Sequence, residues 1–422
     1  MTNAAAPKLD SVSLLTGLRR VSRALPVPQS MLTRLRGLMA YLFRLSAWWS
    51  YGRRRKPCAP KPGPVCVVGF HGSVLGIGEA ARAMSSALRL AGAEVIDWDI
   101  SPHFAHDVRL DGGWQSEPPT DAGAMLLFLN PNELIQLIAM TGGKPFEGRF
   151  CAGNWAWELE SAPRSWKDAM RYVDEVWACS RFVSDAVAVR APAGLPIRVL
   201  PHPIAIPDAA PDRAGFGLPA DAPVVLTAFD VRSGFVRKNP IAAIRAFRKA
   251  NAGGPAVMVC KAAGVEGAPA QMDDLRSEIG HAGDVRLMEE WLTGSRMSAL
   301  VASSDVILSL HRSEGFGLLP AQAMAMGKPV VATDWSGNLD FMTPLDSALV
   351  EYRLAPVKDP QGLYLGGYWA DPDVDDAARK LQPLLRDPAV RAEMGARAAQ
   401  AIAGKLDPMT LGRLARDWLE LR

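Results

Sequence analysis

The 422 residues predict an α/β protein built from two doubly wound halves. Three stretches carry that prediction. In each, a short apolar, β-branched run enters a polar or glycine-rich loop and then a helical pattern. The first is Val65-Cys-Val-Val-Gly-Phe70, followed by His71 to Glu79 and a helix over 80–90. The second is Val224 to Phe229, followed by Asp230 to Pro240 and a helix over 241–251. The third is Asp305-Val-Ile-Leu-Ser309, followed by Glu314-Gly-Phe-Gly317, a helix over 318–326 and a further strand, Pro329-Val-Val-Ala-Thr333. Proline-rich segments, Pro201-His-Pro-Ile204 and Pro207-Asp-Ala-Ala-Pro211, break structure between the first unit and the others and mark a hinge. The resulting division is an arm and linker over 1–60, a first domain over 61–208, a second over 222–403, and a C-terminal helix over 405–422.

Composition is that of a globular chain, 49% hydrophobic and 22% charged, with 37 Gly and 33 Pro. The length suffices for two or three domains with real cores. The net charge of +3 conceals an asymmetry. Residues 1–56 hold eleven Lys and Arg against one acid, Asp10, a net of +10, and the remainder carries −7. A mildly acidic body does not read as a nucleic-acid binder. The five cysteines, Cys58, Cys66, Cys151, Cys179 and Cys260, show no C-x-x-C pairing and no metal-ligand spacing. An odd number within apolar runs reads as reduced core thiols of a cytosolic protein.

In the arm, apolar residues recur at 31, 32, 35, 38, 39, 42, 45, 48 and 49, with Arg34, Arg36 and Arg44 among them. That is a helical stripe. Its apolar run is too short and too charged to span a bilayer, and no signal-peptide cleavage pattern follows. A basic amphipathic helix with Trp48, Trp49 and Tyr51 beside Arg53-Arg-Arg-Lys56 suits the surface of an anionic membrane. The other reading is that it packs on its own protein, or on a second subunit, with the basic run as a solvated linker.

In the first domain, the loop after Phe70 is glycine-rich, but its spacing is not that of a dinucleotide fingerprint. Gly76 and Gly78 either let backbone approach a ligand or simply make a tight turn. Asp97-Trp-Asp99 matches a D-x-D metal motif only superficially; at a strand end it reads as structural, and no metal site is expected. A strand over 125–130 ends at Asn130, and His71, His103 and His106 have no assignable role, so histidine acid–base chemistry is not supported. Trp155, Trp157, Glu158 and Glu160 could form an aromatic and carboxylate wall for a sugar, while Trp177 alternates with its neighbours like a core strand.

In the second domain, Asp230 to Pro240 carries Arg232, Arg237 and Lys238 at a strand's C-terminal end, ahead of a helix begun by Asn239-Pro240. Physically that is a diphosphate cradle, and Lys261 at the end of the next strand can join it. Glu314 to Gly317 lies at the next such corner, with Pro320 in the first turn of the following helix. Free N–H groups there suit phosphate or sugar oxygens, and Glu314 adds an acceptor for hydroxyls. Ser336, Gly337 and Asn338 sit in the neighbouring corner.

Glu314 followed eight positions on by Gln322, the Arg-Lys-Asn-Pro run at 237–240, and the passages W-E-L-E (157–160 with Trp155 nearby) and D-E-V-W-x-x-S-x-F (174–182) resemble the retaining GT-B glycosyltransferases of the E-x7-E type. This is the large group 1 family (family 4-like), with many bacterial polysaccharide and lipopolysaccharide transferases. The resemblance spans about residues 65–420. It implies two Rossmann-like domains facing across a cleft, with the last helix returning to the first domain. It implies sugar transfer from a GDP- or UDP-linked donor to a hydroxyl of a glycan or lipid-linked glycan, with retention, without metal or other cofactor, in surface polysaccharide synthesis on the cytoplasmic side of the membrane. In that scheme Glu314, Lys238 and Arg237 are catalytic. Arg232, Lys261, Gly315, Phe316, Gly317, Gln322, Ser336, Gly337, Asn338, Gly76 and Gly78 face the donor, and Asn130, Trp157 and Glu158 face the acceptor. Gln322 departs from the pattern, which has a second Glu for the ribose. An amide keeps an acceptor but no charge. The rival readings are a non-catalytic sugar-nucleotide or glycan-binding module and a GT-B sugar-nucleotide epimerase.

Overall fold

The structure, a computed structural model, describes residues 29–53, 55–104, 110 and 112–420. The first 28 residues of the arm, Arg54, His106 and the last two residues lie outside that description, as do the side chains of Leu32, Arg34 and Arg36.

Two six-stranded parallel sheets organise the chain. Strands β1 (Val65–Gly69), β2 (Val95–Asp99), β3 (Ala124–Phe128), β4 (Phe150–Gly153), β5 (Glu175–Ala178) and β6 (Ile197–Val199) run in the order β2-β1-β3-β4-β5-β6. Strands β7 (Val224–Asp230), β8 (Val257–Ala263), β9 (Val285–Met288), β10 (Val306–Ser309), β11 (Val330–Thr333) and β12 (Ala348–Val350) run in the order β12-β11-β10-β7-β8-β9. Every residue of β1, β3, β4 and β11 is buried, as apolar strands covered by helices on both faces must be. The two-half α/β expectation therefore holds. In each sheet the chain winds outward one way and then returns to wind the other. The reversals lie between β1 and β3 and between β7 and β10, where a doubly wound sheet opens its ligand crevice.

Two local expectations are corrected. The first helix runs Gly76–Leu90, so Gly76 and Gly78 occupy its first turn and not the preceding loop. Leu75 is still extended, and Glu79 N–H already donates to Leu75 O at 2.9 Å. A Cβ on Gly78 would lie 2.3 Å from Phe70 O, so packing dictates that glycine. In the second domain, residues 231–238 form a 3-10 turn (Val231–Ser233) and a one-turn helix (Phe235–Lys238). Asn239 does not cap the following helix Pro240–Ala250. It adopts a left-handed conformation (φ 55°), and its side-chain amide donates to Leu310 O at 3.0 Å, tying the two crevice loops together.

The arm forms a helix, Gln29–Ala47, ending in a π-helical turn, Trp48–Gly52. It packs on helix Pro131–Thr141 of the first domain. Tyr51 is the anchor: it is buried, stacks on Tyr172 at 6.1 Å and donates from its hydroxyl to Phe146 O at 2.9 Å. Arg55 pairs with Asp174 at 2.7 Å. The helix nevertheless leaves Leu38, Tyr41, Leu42, Leu45, Trp48 and Trp49 exposed on one stripe. Among the described residues no helix is long and apolar enough to cross a membrane.

The chain's last helix, Pro408–Glu420, lies on helix Gly76–Leu90. The approach is close enough that a Cβ on Gly412 would come 2.1 Å from Ala87 O. Trp418 meets Trp177 edge-on at 5.1 Å, a pairing worth about 0.5–1.5 kcal/mol beyond the area it buries. An antiparallel hairpin, β13 (Tyr352–Pro356) and β14 (Tyr368–Pro372), stands apart from both sheets and has no counterpart in the sequence reading.

Candidate functional site

The loops after β7 and β10 converge on one charged cluster. Lys238, at the end of the one-turn helix, places its ammonium 2.5 Å from Glu314 Oε1. Arg237, only 2% exposed, lies 3.1 Å from Glu314 Oε2 and 4.0 Å from Glu158 Oε1. Its guanidinium also donates to Ser233 O and Ser313 O, so each loop's main chain helps fix it. Burial alone would raise the Glu314 carboxyl, but Lys238 and Arg237 overcome that and hold it down to about 2. Glu314 is thus a permanent anion. Burial lowers the Lys238 ammonium, and the adjacent Arg237 pushes the same way against the pull of Glu314. Arg237 stays charged because Tyr364, Glu314 and Glu158 outweigh its desolvation.

The Glu314 loop is clamped on two sides. Glu314 N–H donates to Ser336 Oγ at 2.8 Å, and Gly337 N–H donates to Glu314 O at 2.9 Å. A Cβ on Gly337 would fall 2.0 Å from Gly315 O, so only glycine fits. From the first domain, Ser180 Oγ donates to Gly315 O at 2.6 Å, and Trp157 backbone lies just over 3 Å from where a Gly315 Cβ would be. Gly317 takes φ 97° and releases the chain into helix Leu318–Ala325. The D-E-V-W-x-x-S-x-F passage therefore meets the opposite domain: Arg181 N–H also donates to Asp340 at 2.8 Å.

A cavity of about 1080 Å³ lies between the halves, lined from both. Of the residues singled out by sequence, Glu314, Lys238, Arg237, Lys261, Gly315, Phe316, Gly317, Gln322, Gly76, Asn130 and Glu158 line it. Arg232, Ser336, Gly337, Asn338, Gly78 and Trp157 do not line it. Arg232 is held bidentate by its own Asp230, with contacts of 3.1 and 2.7 Å, and stacks over Trp291 at 4.7 Å, so its charge is met locally. Ser336, Gly337 and Asn338 support the Glu314 loop from behind; Asn338 is fully buried and donates to Thr333 O. Trp157 packs between Trp166 and Tyr364, and its indole N–H is taken by Ser161 O at 2.9 Å. It is a packing residue, and the expected aromatic wall is not formed by it. Gln322 donates to Glu79 across the cavity. Asp97 pairs with Arg89, and Asp99 accepts from Ser101, so the D-x-D run is spent on structure.

Several cavity groups escaped the sequence. His202, read only as hinge, lines the cavity edge-on to Phe316 at 4.8 Å. Burial pushes its imidazole down to about 4, so it is neutral at pH 7, and its Nδ1 has no partner among the described residues. On the first-domain wall, Asn154 Nδ2 and Glu133 Oε2 are likewise without partners among those residues. Both line the cavity, Asn154 just past β4 and Glu133 in the first turn of helix Pro131–Thr141 that follows β3. Burial raises the Glu133 carboxyl to about 7. Asn130 beside them spends its Oδ1 on Ala156 N–H at 3.0 Å. Finally, the hairpin loop covers the cationic loop: Gln361 accepts from Phe235 N–H at 2.6 Å and donates to Val231 O. Tyr364 reaches over to donate to Glu158 Oε2 at 3.0 Å. Only three-dimensional packing brings these groups in, and no local motif announces them.

Comparison with known proteins follows the same geometry. Residues 219–401 match the family model described as glycosyl transferases group 1. A D-inositol 3-phosphate glycosyltransferase of Arthrobacter sp. strain FB24 is 34% identical over 128 residues, 30% of this chain. That match spans only about a quarter (26%) of the relative's length. Among solved structures, HepE of Anabaena in complex with UDP and glucose aligns with a TM-score of 0.62 at 14% identity, over 86% of this chain and 100% of that one. Sucrose-phosphate synthase from Thermosynechococcus elongatus aligns at 0.59 and 17% identity, over 86% and 100%. TarM of S. aureus, in complex with fondaparinux, alpha-GlcNAc-glycerol and UDP, aligns at 0.53 and 12% identity, over 70% and 55%.

Proposed function

With residues 219–401 belonging to the glycosyl transferases group 1 family and the chain folded as a GT-B pair of domains, we propose that the protein transfers a sugar from a nucleoside diphosphate sugar to a hydroxyl of a glycan or lipid-linked glycan. The observation that carries this reading is the Lys238–Glu314–Arg237 cluster, set where the crevices of both sheets meet around one cavity. Lys238, Arg237 and the nearby Lys261 bring three cations to the second-domain wall of the cavity, where a diphosphate would be met. N–H groups at the start of helix Leu318–Ala325 add to the attraction.

In the proposed reaction the bond from the sugar C1 to the diphosphate oxygen breaks, and its electron pair leaves with the diphosphate. Lys238 and Arg237 stabilise that developing charge, an effect felt mainly in the transition state. Glu314, fixed as an anion by its two cations, accepts hydrogen bonds from the sugar hydroxyls and orients C1. The acceptor oxygen bonds to C1, and its proton passes to the departing diphosphate, which keeps attack and departure on one face and gives retention. No residue in this scheme calls for a metal. On the first-domain wall, Glu158, Glu133 and Asn154 would receive acceptor hydroxyls, relieving the unpartnered polar atoms of the last two.

Nucleoside diphosphate release from a panel of UDP- and GDP-sugars, with membrane lipid extract as acceptor, tests this reading. Glu314→Ala and Lys238→Ala should each lose at least about a hundredfold, the scale of removing one preorganised charge stabiliser. Donor binding without release under any acceptor would favour a binding module instead.

We further propose peripheral contact with the inner face of the cytoplasmic membrane through the arm, consistent with a surface polysaccharide role. The stripe Leu38, Leu42, Leu45 and Trp49 remains exposed although the helix packs on its own domain, and Arg53 lies over the Trp49 ring at 4.6 Å. Co-sedimentation with vesicles containing anionic lipid should fall in Leu42→Asp/Trp49→Asp. Equal binding by the variant would remove the arm from the membrane account.

A further inference from the structure

The hairpin of β13 and β14 leaves an apolar patch in water. Leu354, Leu363, Leu365 and Tyr368 are all exposed, Leu365 almost wholly, at 91%. Pairing of Pro356 with Tyr368 and of Leu354 with Ala370 puts the strand members on one face, while Trp369, on the other, packs inward with Tyr364. The loop that presents the two leucines is tightly built. Asp359 accepts from the N–H groups of Gln361, Leu363 and Tyr364 at 3.1, 2.7 and 3.1 Å, and Tyr364 is anchored on Glu158. A fixed loop therefore holds its leucines outward, against the hydrophobic cost of exposing them.

This patch neighbours the arm. Arg44 of the arm helix lies 3.6 Å from Asp168 in the 3-10 turn Arg164–Asp168. Trp166 of that turn meets Trp157 at 5.3 Å, and Trp157 meets Tyr364, which stands between the two loop leucines, at 5.5 Å. The connecting turn exposes Arg164 and Lys167, and the hairpin exposes Lys358. Cations thus stand between two apolar patches, a pattern suited to anionic headgroups and the acyl chains beneath them. The exposed acids Glu160 and Glu351 lie at the hairpin's other end, by Tyr352. A second protein is a poorer occupant. Arg353 and Pro356 on β13 discourage strand pairing, and one hairpin falls short of the roughly twenty to thirty residues that a stable interface uses on each side.

We propose that the hairpin loop is a second membrane contact, in which Leu363 and Leu365 enter an anionic lipid surface beside the arm. This rests on the membrane contact of the arm proposed above. The arm packs on the first domain and the hairpin belongs to the second, so the two contacts hold both domains at one surface.

Vesicles of equal parts phosphatidylcholine and phosphatidylglycerol test it. Cys58→Ser/Leu365→Cys, whose remaining native thiols are buried, accepts an environment-sensitive thiol fluorophore at 365. Its emission should shift to the blue on vesicles and be quenched by brominated lipid. Leu363→Asp/Leu365→Asp should weaken co-sedimentation by about tenfold, the scale of keeping two leucines out of hydrocarbon. An unshifted fluorophore on sedimenting protein, or an Asp variant bound as tightly as the unsubstituted protein, overturns the inference and leaves the arm's contact standing. A blue shift that follows protein concentration without lipid assigns the patch to a second copy of the chain and overturns it too. No co-sedimentation of the unsubstituted protein overturns both contacts.

Discussion

Glu133 is the residue whose environment makes the sharpest demand. Its carboxyl is raised by burial to about 7 and has an oxygen without a partner among the described residues. Because the folded value lies above the unfolded one, the unfolded chain holds fewer protons between about pH 4.5 and 7. The associated stability is therefore present in acid and is lost as pH rises through 7. Glu133→Gln should remove that loss and raise stability at pH 8 by on the order of 1–3 kcal/mol, read from urea unfolding at pH 5 and pH 8. A pH dependence identical to that of the unsubstituted protein would mean Glu133 is not desolvated. At this scale the sequence was legible where a charge stood in a short loop at a strand end: Glu314, Lys238, Arg237 and Lys261 all reach the cavity. It misled where a side chain had a nearer partner. Arg232 looked like a phosphate ligand by spacing, but Asp230 two residues before it claims its guanidinium. Trp157 looked like a sugar platform, but Trp166 and, from far along the chain, Tyr364 enclose it.

The hairpin of β13 and β14 is the element that sequence periodicity did not reveal. Its strands are five residues each; β13 has no buried residue, β14 buries only Trp369, Ala370 and Pro372, and neither has the apolar run that marks the buried strands. It matters because its base and tip are tied to the site. Arg312 binds Asp371 at 2.8 Å and also donates to Val236 O at 2.6 Å, while Tyr364 reaches Glu158 in the other domain. Burial and the facing Glu158 keep the Tyr364 hydroxyl far above its ordinary value, so it stays a donor across the working pH range. That bond aims Glu158 and Arg237, which in turn abuts Glu314. Tyr364→Phe keeps the ring packing on Trp157 and Trp369 and removes only the bond. The variant should fold normally, lose about 1 kcal/mol of stability and show lower kcat, with donor affinity within about twofold. Unchanged kcat would confine the hairpin to a structural role. The buried strands posed no such difficulty: those at 306–309 and 330–333 begin one residue later than read.

On the scale of the whole molecule, the chain visits the first domain, leaves for the second near Ile204, and comes back with its last helix. The crossing is stitched where Ile204 N–H donates to Leu406 O at 3.0 Å. Helix Pro408–Glu420 then completes the first domain's surface, with Gly412 against Ala87, Arg416 donating to Ala91 O at 2.8 Å and Trp418 against Trp177. Strand and loop patterns could place the two sheets, but nothing in the last helix's own residues states which sheet it covers; that is decided by the close approach that Gly412 permits. A domain completed by a segment more than 200 residues away cannot hold its core without it. Removing residues 408–422 should therefore expose Trp177 and the outer face of helix Gly76–Leu90, lower the unfolding temperature of the first domain by several degrees or more, and leave the second domain's transition in place. Scanning calorimetry should then resolve two transitions, the upper one still moved upward by UDP or GDP through Lys238 and Arg237. A single transition at the original temperature would mean the last helix is dispensable, and the first domain would have to be self-sufficient within residues 61–208.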